Sequence, residues 1–351
     1  MRVLVVKMSS LGDVVHALPA VSDAHAALAS RGIVFDWVVE EAFAAIPARH
    51  PAVATVLPIA WRRWRGDLIA SRRALRAFTA QLRSRRYDLI LDAQGLVKSA
   101  AVTLLARGDV RAGLARGSAR EAAAALVYSR PIAVPREQHA VDRLRQLFAA
   151  TLGYAVPASP PRFAIAPDFA GKASGAPRCV LLHGTTWASK LWPVSFWKAI
   201  ITRATDAGFD VLVPWGSAEE QARAAQITAG TRARVLDRLP LAALLDELAG
   251  ASLVIGVDSG LAHLAGALEV PTLVIYGSTS SALTGCRGSR VGNLQAEFPC
   301  APCLARSCRY AGPQQHWQGE VVAPACYARV PPELVWQQAL ELLDADRVLH
   351  I

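Results

Sequence analysis

Four short stretches carry residue types that could do chemistry together. The first is Lys7-Met8-Ser9-Ser10-Leu11-Gly12-Asp13, where an aspartate follows a glycine that permits a sharp turn. A carboxylate there can accept a proton from a substrate hydroxyl, or it can simply cap the helix that follows. The second is Val257-Asp258-Ser259-Gly260-Leu261-Ala262-His263, whose backbone N–H groups at a helix start suit an anion. The third is His183-Gly184-Thr185-Thr186 with Lys190, two hydroxyls and an ammonium that could meet the same anion. The fourth is Trp215-Gly216-Ser217-Ala218-Glu219-Glu220, where a carboxylate could accept from sugar hydroxyls. Each has a plainer alternative: Asp258 or Ser259 as a helix cap, His263 as a satisfied core histidine, Lys190 as a solvated charge. Convergence favours chemistry, because the last three stretches all leave the same edge of one expected sheet and together suit a diphosphate and a nucleoside.

That edge follows from the elements between the motifs. Val3-Leu4-Val5-Val6 is an apolar, largely β-branched run that suits a central parallel strand. Strands follow at Ile33–Val39, Val53–Ala60 and Tyr87–Asp92, with helical spacing over Asp67–Arg86, including Leu68, and over Gln138–Leu152. Proline, glycine and small residues then dominate, and alternation restarts with strands at Cys179–Leu182, Asp210–Val213, Arg234–Leu236, Ser252–Ile255 and, as the last, Thr272–Ile275. Strand and helix alternate throughout, so the expected class is α/β: two Rossmann-like, doubly wound parallel-sheet domains facing a central cleft. The boundaries expected are 1–160 for the first domain, 161–177 for a linker, 178–331 for the second domain, and 332–351 for a C-terminal helix returning toward the first. Neither half has a Gly-x-Gly-x-x-Gly after its first strand, nor a P-loop, which argues against a dinucleotide oxidoreductase or a P-loop NTPase.

The chain has 351 residues, 53% of them hydrophobic, which argues against disorder. No apolar run is long enough for a membrane span, and the first strand begins at once, so a cytoplasmic protein is expected. The formal net charge is +10, which favours an anionic partner. Arg62, Arg63, Arg65, Arg72, Arg73, Arg76, Arg83, Arg85 and Arg86 crowd one segment, with Trp61 and Trp64 interleaved among the first three. Six cysteines are present, and Cys300, Cys303, Cys308 and Cys326 fall near the C-terminus with His316 between them. Their spacing allows a structural zinc, free thiols or a loop staple. The only Asp-x-Asp, Asp344-Ala345-Asp346, ends the last helix and is read as solvated, so no catalytic metal is expected.

The chain also resembles the lipopolysaccharide heptosyltransferases of glycosyltransferase family 9, which have the GT-B fold, and among them the type I members. The resemblance rests on Lys7–Pro19, Asp36–Glu41, Arg62–Arg65, Asp92–Ser99, His139-Ala140-Val141, Thr185-Thr186 with Lys190 and Trp192-Pro193, Pro214-Trp215-Gly216 and Val257–His263. These segments run in family order over nearly the whole chain. The resemblance implies transfer of a heptose from ADP-L-glycero-D-manno-heptose to the first Kdo of Kdo2-lipid A, with inversion and with Asp13 as general base. It implies Thr185, Thr186, Lys190, Ser259 and Gly260 around the diphosphate, Glu220 and Leu239 at the nucleoside, and Asp258 and His263 on the heptose side. For the acceptor, with its carboxylates and phosphates, it suggests Ser10, Gly12, Arg62, Arg63, Arg65, Gln94, Lys98, Arg120 and His139. No cofactor is required, since ADP-heptose is a substrate, and no nucleic acid is expected. The enzyme is expected on the cytoplasmic face of the inner membrane, with Trp61 and Trp64 resting at the interface. Cysteine-bearing insertions are similar in type II members, which act on heptosyl-Kdo2-lipid A. A non-catalytic, nucleotide-binding, membrane-docking module is the alternative from another class.

Overall fold

The computed structural model describes residues 1–64, 66–67, 69–165 and 175–349, the last five by backbone. Arg65, Leu68, residues 166–174 of the expected linker and the Asp346 side chain lie outside that description. The chain divides into two compact units, Met1–Ala166 and Pro167–Ile351.

The first unit runs β1 (Arg2–Val6), α1 (Leu11–Ala27), β2 (Val34–Glu40), α2 (Ala45–Ala48), β3 (Val53–Ile59), α3 (Trp61–Trp64), α4 (Arg72–Arg83), β4 (Tyr87–Asp92), α5 (Val97–Leu105), β5 (Gly108–Leu114), β6 (Arg130–Ile132) and α6 (Ala140–Leu152). A 3-10 helix, Ala122–Val127, precedes β6. Its six strands are parallel in the order β3-β2-β1-β4-β5-β6. The β1 run is central because Val3, Leu4, Val5 and Val6 are fully buried, covered on both faces as a doubly wound sheet requires. The strand order reverses between β1 and β4, and a sheet of this kind opens a crevice at that switch point, at the carboxyl ends of its strands. Residues 7–13 and 93–98 leave from there.

The second unit repeats this plan. It runs β7 (Arg178–Leu182), α7 (Val194–Asp206), β8 (Asp210–Val213), α8 (Ala218–Thr228), β9 (Arg234–Val235), α9 (Leu241–Ala249), β10 (Leu253–Val257), α10 (Gly260–Ala267), β11 (Thr272–Tyr276), α11 (Ser281–Thr284) and β12 (Val291–Gln295). A small hairpin, β13 (His316–Trp317) with β14 (Glu320–Val321), and α12 (Pro332–Leu349) complete it. The parallel order is β12-β11-β10-β7-β8-β9, so the switch point lies between β7 and β10. Residues 183–190 and 258–263 leave from that point. The described side chains of α12 pack on this unit, with Val335 and Ala339 buried in its core beside Trp192, Phe196 and Trp197.

Three sequence expectations are corrected. Thr272–Ile275 does not end the sheet, since β12 pairs in parallel with β11; its Val-Gly-Asn-Leu-Gln sequence is only half-buried and has no apolar run to announce it. The helix expected over Asp67–Arg86 is the shorter α4, preceded by the separate turn α3. Trp64 is not an interface residue: it is 5% exposed and its ring packs 5.7 Å from that of Phe78, with Trp61 half-buried against the same cluster.

Candidate functional site

In the first unit, Ser10 is the residue preceding α1, and Asp13 stands three positions into the turn that follows. Asp13 is not the cap itself. Its Oδ2 accepts from the Ser10 amide at 2.8 Å and from the Ser10 hydroxyl at 2.8 Å. Its Oδ1 lies 3.7 Å from Lys7 Nζ, and the carboxylate is 39% exposed. Burial alone would raise the Asp13 pKa, but the Lys7 ammonium, the Ser10 hydrogen bonds and the field of His16 outweigh it and hold the carboxyl below its usual value. Asp13 is therefore an ionised, reachable acceptor at neutral pH.

Lys7, absent from the expected site, is 5% exposed and donates to the Ala93 carbonyl at 3.0 Å. A lysine buried directly after a central strand is the signal that could have found it, since such a charge needs a partner. Gln94 Oε1 accepts from the amides of Met8 and Ser9 at 2.9 and 3.1 Å, and its amide nitrogen donates back to the Ser9 carbonyl. Lys98 donates to the Ser9 hydroxyl at 2.8 Å. Both residues expected at the acceptor thus hold the loop that carries Asp13. Asp92, fully buried, fixes the Gln94 turn by accepting from the amides of Gln94 and Gly95 and from the Tyr128 hydroxyl.

Gly12 is buried in the first turn of α1. His139 precedes α6, accepts from the Val141 amide at 3.2 Å, and packs with its ring 5.9 Å from that of His16. It is 5% exposed, so its ring is largely enclosed. Arg62 is exposed, with its guanidinium 5.5 Å over the Phe43 ring. Arg63 pairs with Glu41 at 3.2 Å, and Arg120 is exposed.

In the second unit, Asp258 directly follows β10 with only 6% exposure. Its Oδ2 accepts from Lys190 Nζ at 2.7 Å and from the Thr279 hydroxyl at 2.7 Å, while its Oδ1 lies 3.5 Å from His263 Nε2. Burial opposes ionisation of Asp258, yet His263 and Lys190 hold its pKa well below the usual carboxylate range. Both oxygens are thus engaged with protein, so Asp258 orients Lys190 and His263. Lys190 has three donors, and one is committed to Asp258. Its ammonium also sits 4.7 Å from the Trp187 ring centroid. Thr185 Oγ1 donates to the Asp258 carbonyl at 3.2 Å, and Thr186 is exposed.

Ser259 caps α10 by accepting from the Ala262 amide, and Gly260 is the first helical residue. Glu220, in the first turn of α8, accepts from the Gly216 amide at 2.7 Å. A Cβ on Gly184 would fall 2.5 Å from Glu220 Oε1, so Gly184 makes room for this carboxylate beside Thr185. Leu239 is half-buried ahead of α9. One edge therefore gathers hydroxyls, an ammonium, a helix start and a carboxylate. Thr279 is the residue that sequence reasoning missed there, since a threonine after a strand carries no distinguishing signal.

An arrangement of this type suits a nucleoside diphosphate. The family model for glycosyltransferase family 9 (heptosyltransferase) matches residues 75–313. The chain is 46% identical to lipopolysaccharide heptosyltransferase 1 of Pseudomonas aeruginosa over the full length of both. The chain belongs to glycosyltransferase family 9, the heptosyltransferases. It is also 44% identical to the Escherichia coli K12 lipopolysaccharide heptosyltransferase 1, covering 82% of this chain and 91% of that protein. The structure of E. coli heptosyltransferase WaaC with ADP matches with a TM-score of 0.78 at 42% identity, over 85% of this chain and 94% of that one. This heptosyltransferase is accordingly an enzyme of the GT-B class, which sets aside the non-catalytic alternative.

Of the alternatives left open for the C-terminal cysteines, the structure of this heptosyltransferase shows free thiols. Cys300, Cys303 and Cys308 are exposed while Cys326 is buried. Burial first, then Cys308, Cys300 and Cys303, push the Cys326 thiol up to about 12. Among the described residues no group of three or more His, Cys, Asp or Glu is placed to hold a metal ion. No described helix is long and apolar enough to cross a membrane.

Proposed function

We propose that this enzyme moves L-glycero-D-manno-heptose from ADP-heptose to the first Kdo of Kdo2-lipid A, with inversion at the anomeric carbon. Asp13 takes the proton of the attacking Kdo hydroxyl as that oxygen bonds to the heptose C1. The bond from C1 to the ADP oxygen breaks and ADP leaves with the electron pair. Charge grows on the diphosphate in a transition state of oxocarbenium character. Preorganised donors lower that barrier: the two uncommitted Lys190 protons, the Thr186 hydroxyl and the backbone N–H groups at the α10 start, with the Thr185 hydroxyl joining them once it turns from the Asp258 carbonyl. Glu220 and Leu239 receive the nucleoside, and His263 the heptose. Arg62, Arg63, Arg65 and Arg120 take the acceptor's anionic groups, for which guanidinium forks are suited. The ammonium and helix start fill the role that a metal plays toward other diphosphate leaving groups.

The observation that carries this reading is the likeness, over its whole length, to a protein named lipopolysaccharide heptosyltransferase 1. Radiolabelled heptose transfer tests it, with Kdo2-lipid A and heptosyl-Kdo2-lipid A offered as parallel acceptors. Labelling of the first is expected. Labelling of the second alone makes the enzyme a type II heptosyltransferase and ends the acceptor assignment.

A further inference from the structure

Residues 298–319, between β12 and the hairpin, contain no Asp or Glu, yet Arg306 and Arg309 stand in their middle. The segment is pinned at both ends of its excursion. At its root the Phe298 and Tyr310 rings meet edge to face, with centroids 5.0 Å apart. Toward its tip, hydrogen bonds fasten residues 304–306 to two other loops of the same unit. The Leu304 amide donates to the Ser278 carbonyl at 2.8 Å, and the Ser189 amide donates to the Arg306 carbonyl at 3.1 Å. The Ser189 hydroxyl donates to the Ala305 carbonyl and lies 2.9 Å from the Ser278 hydroxyl. Ser189 is 2% exposed, so these bonds are shielded from water and strengthened by it.

The two loops held in this way are those of the candidate donor site. Ser189 precedes Lys190 and Ser278 precedes Thr279, and both Lys190 and Thr279 donate to Asp258 Oδ2. The backbone of Arg306 is thereby fixed beside the turn that carries Lys190. Its side chain is exposed, with the guanidinium carbon 5.8 Å from the centroid of the Trp187 ring. The Lys190 ammonium lies 4.7 Å from that same centroid. Asp258 balances the charge of Lys190, whereas among the described residues no carboxylate pairs with Arg306. The ring face attracts each cation, but two cations gathered on one ring repel each other until an anion joins them.

We propose that Arg306 is a second cation of the donor site and binds the diphosphate of ADP-heptose together with Lys190. A diphosphate carries more charge than one ammonium already shared with Asp258 can balance. A guanidinium presents a planar fork of donors to phosphate oxygens, and the Trp187 face steadies that fork without consuming any of them. The backbone pinned at residues 304–306 limits the freedom that Arg306 loses when it closes on its ligand. Because charge grows on the diphosphate as it leaves C1, the contact is stronger in the transition state than in the bound substrate. The inference rests on the reading of ADP-heptose as the donor.

Calorimetric titration with ADP and steady-state transfer assays test this on the intact chain and on the variants R306Q and R309Q. R306Q leaves the backbone carbonyl that Ser189 uses and removes only the charge and its fork. It is expected to weaken ADP binding by about tenfold or more, as the loss of a hydrogen bond to a charged group does. Its kcat/KM for ADP-heptose is expected to fall at least as far. Adenosine keeps the nucleoside and lacks both phosphates, so its inhibition constant is expected to stay unchanged in R306Q. R309Q removes the same charge from the same segment and is expected to match the parent throughout. The proposal is overturned if R306Q binds ADP like the parent, if it weakens adenosine as much as ADP, or if R309Q loses as much as R306Q. A parent that binds no ADP overturns the donor reading instead.

Discussion

A carboxylate that is to take a proton at neutral pH must stay ionised without being sealed away. Asp13 meets both conditions, because Lys7 and Ser10 stabilise the charged form while part of the side chain remains open. Asp13→Asn keeps the shape and removes the base, so kcat is expected to fall by about 10²–10⁴-fold. Calorimetric titration with ADP checks the complement: its affinity is expected to stay unchanged. In the other unit, Thr279 and Lys190 share one oxygen of Asp258. Thr279→Val deletes a hydrogen bond to a buried charge, an interaction of about 1.5–3 kcal/mol. With the aim of Lys190 loosened, KM for ADP-heptose is expected to rise in steady-state assays. Asp13, Lys190 and Asp258 were legible in the sequence because their loops follow apolar runs. Thr279 was not, since its partner Asp258 lies 21 positions away, and Lys7 was passed over although its place directly after a central strand marks it. Gln94 and Lys98 were expected at the acceptor, yet the contacts the structure gives them are with the loop that carries Asp13, which spacing does not reveal.

At the level of elements, the turn after β7 depends on a missing side chain. Gly184→Ala drives the Glu220 carboxylate off its position beside Gly216. Because the clash falls on the end of a flexible side chain, thermal stability is expected to stay nearly unchanged while ADP affinity drops, as paired melting and binding curves would show. Two buried histidines give the fold a pH limit. His50 is depressed to about 4 by burial and then by His25, and its Nδ1 accepts from the Ala52 amide. His183 is depressed to about 4 by burial and then by Arg223. Both rings are neutral in the native state, so the unfolded chain binds protons first as pH falls. Their contribution is present in full above about pH 6.5 and is lost toward pH 4, on the order of 3 kcal/mol for each ring. Urea midpoints measured between pH 7 and 4.5 are expected to decline accordingly. The central strands were legible from their β-branched runs; the edge strands β6 and β12 were not, since they are held by pairing more than by apolar burial, and β5, one place in from the edge, was not because its Gly-Asp-Val-Arg-Ala-Gly-Leu sequence has no apolar run.

For the whole molecule, two units with separate cores imply two unfolding events. The proposed function assigns ADP to residues of the second unit alone, so calorimetry with ADP is expected to show one transition raised and the other fixed. At a hundredfold excess over Kd the gain is about 2.7 kcal/mol, worth several degrees for a unit of this size. The doubly wound class was readable from the alternation of elements, while the identical strand order of the halves was not, because no residue pattern is repeated between them. That shared order has a consequence for how such an enzyme diversifies. Each sheet reverses at its own switch point and equips it with its own loops. With the acceptor and the nucleotide divided between the units as proposed, changes that retune acceptor recognition fall in one stretch of the gene and leave nucleotide recognition, encoded in the other, under separate selection.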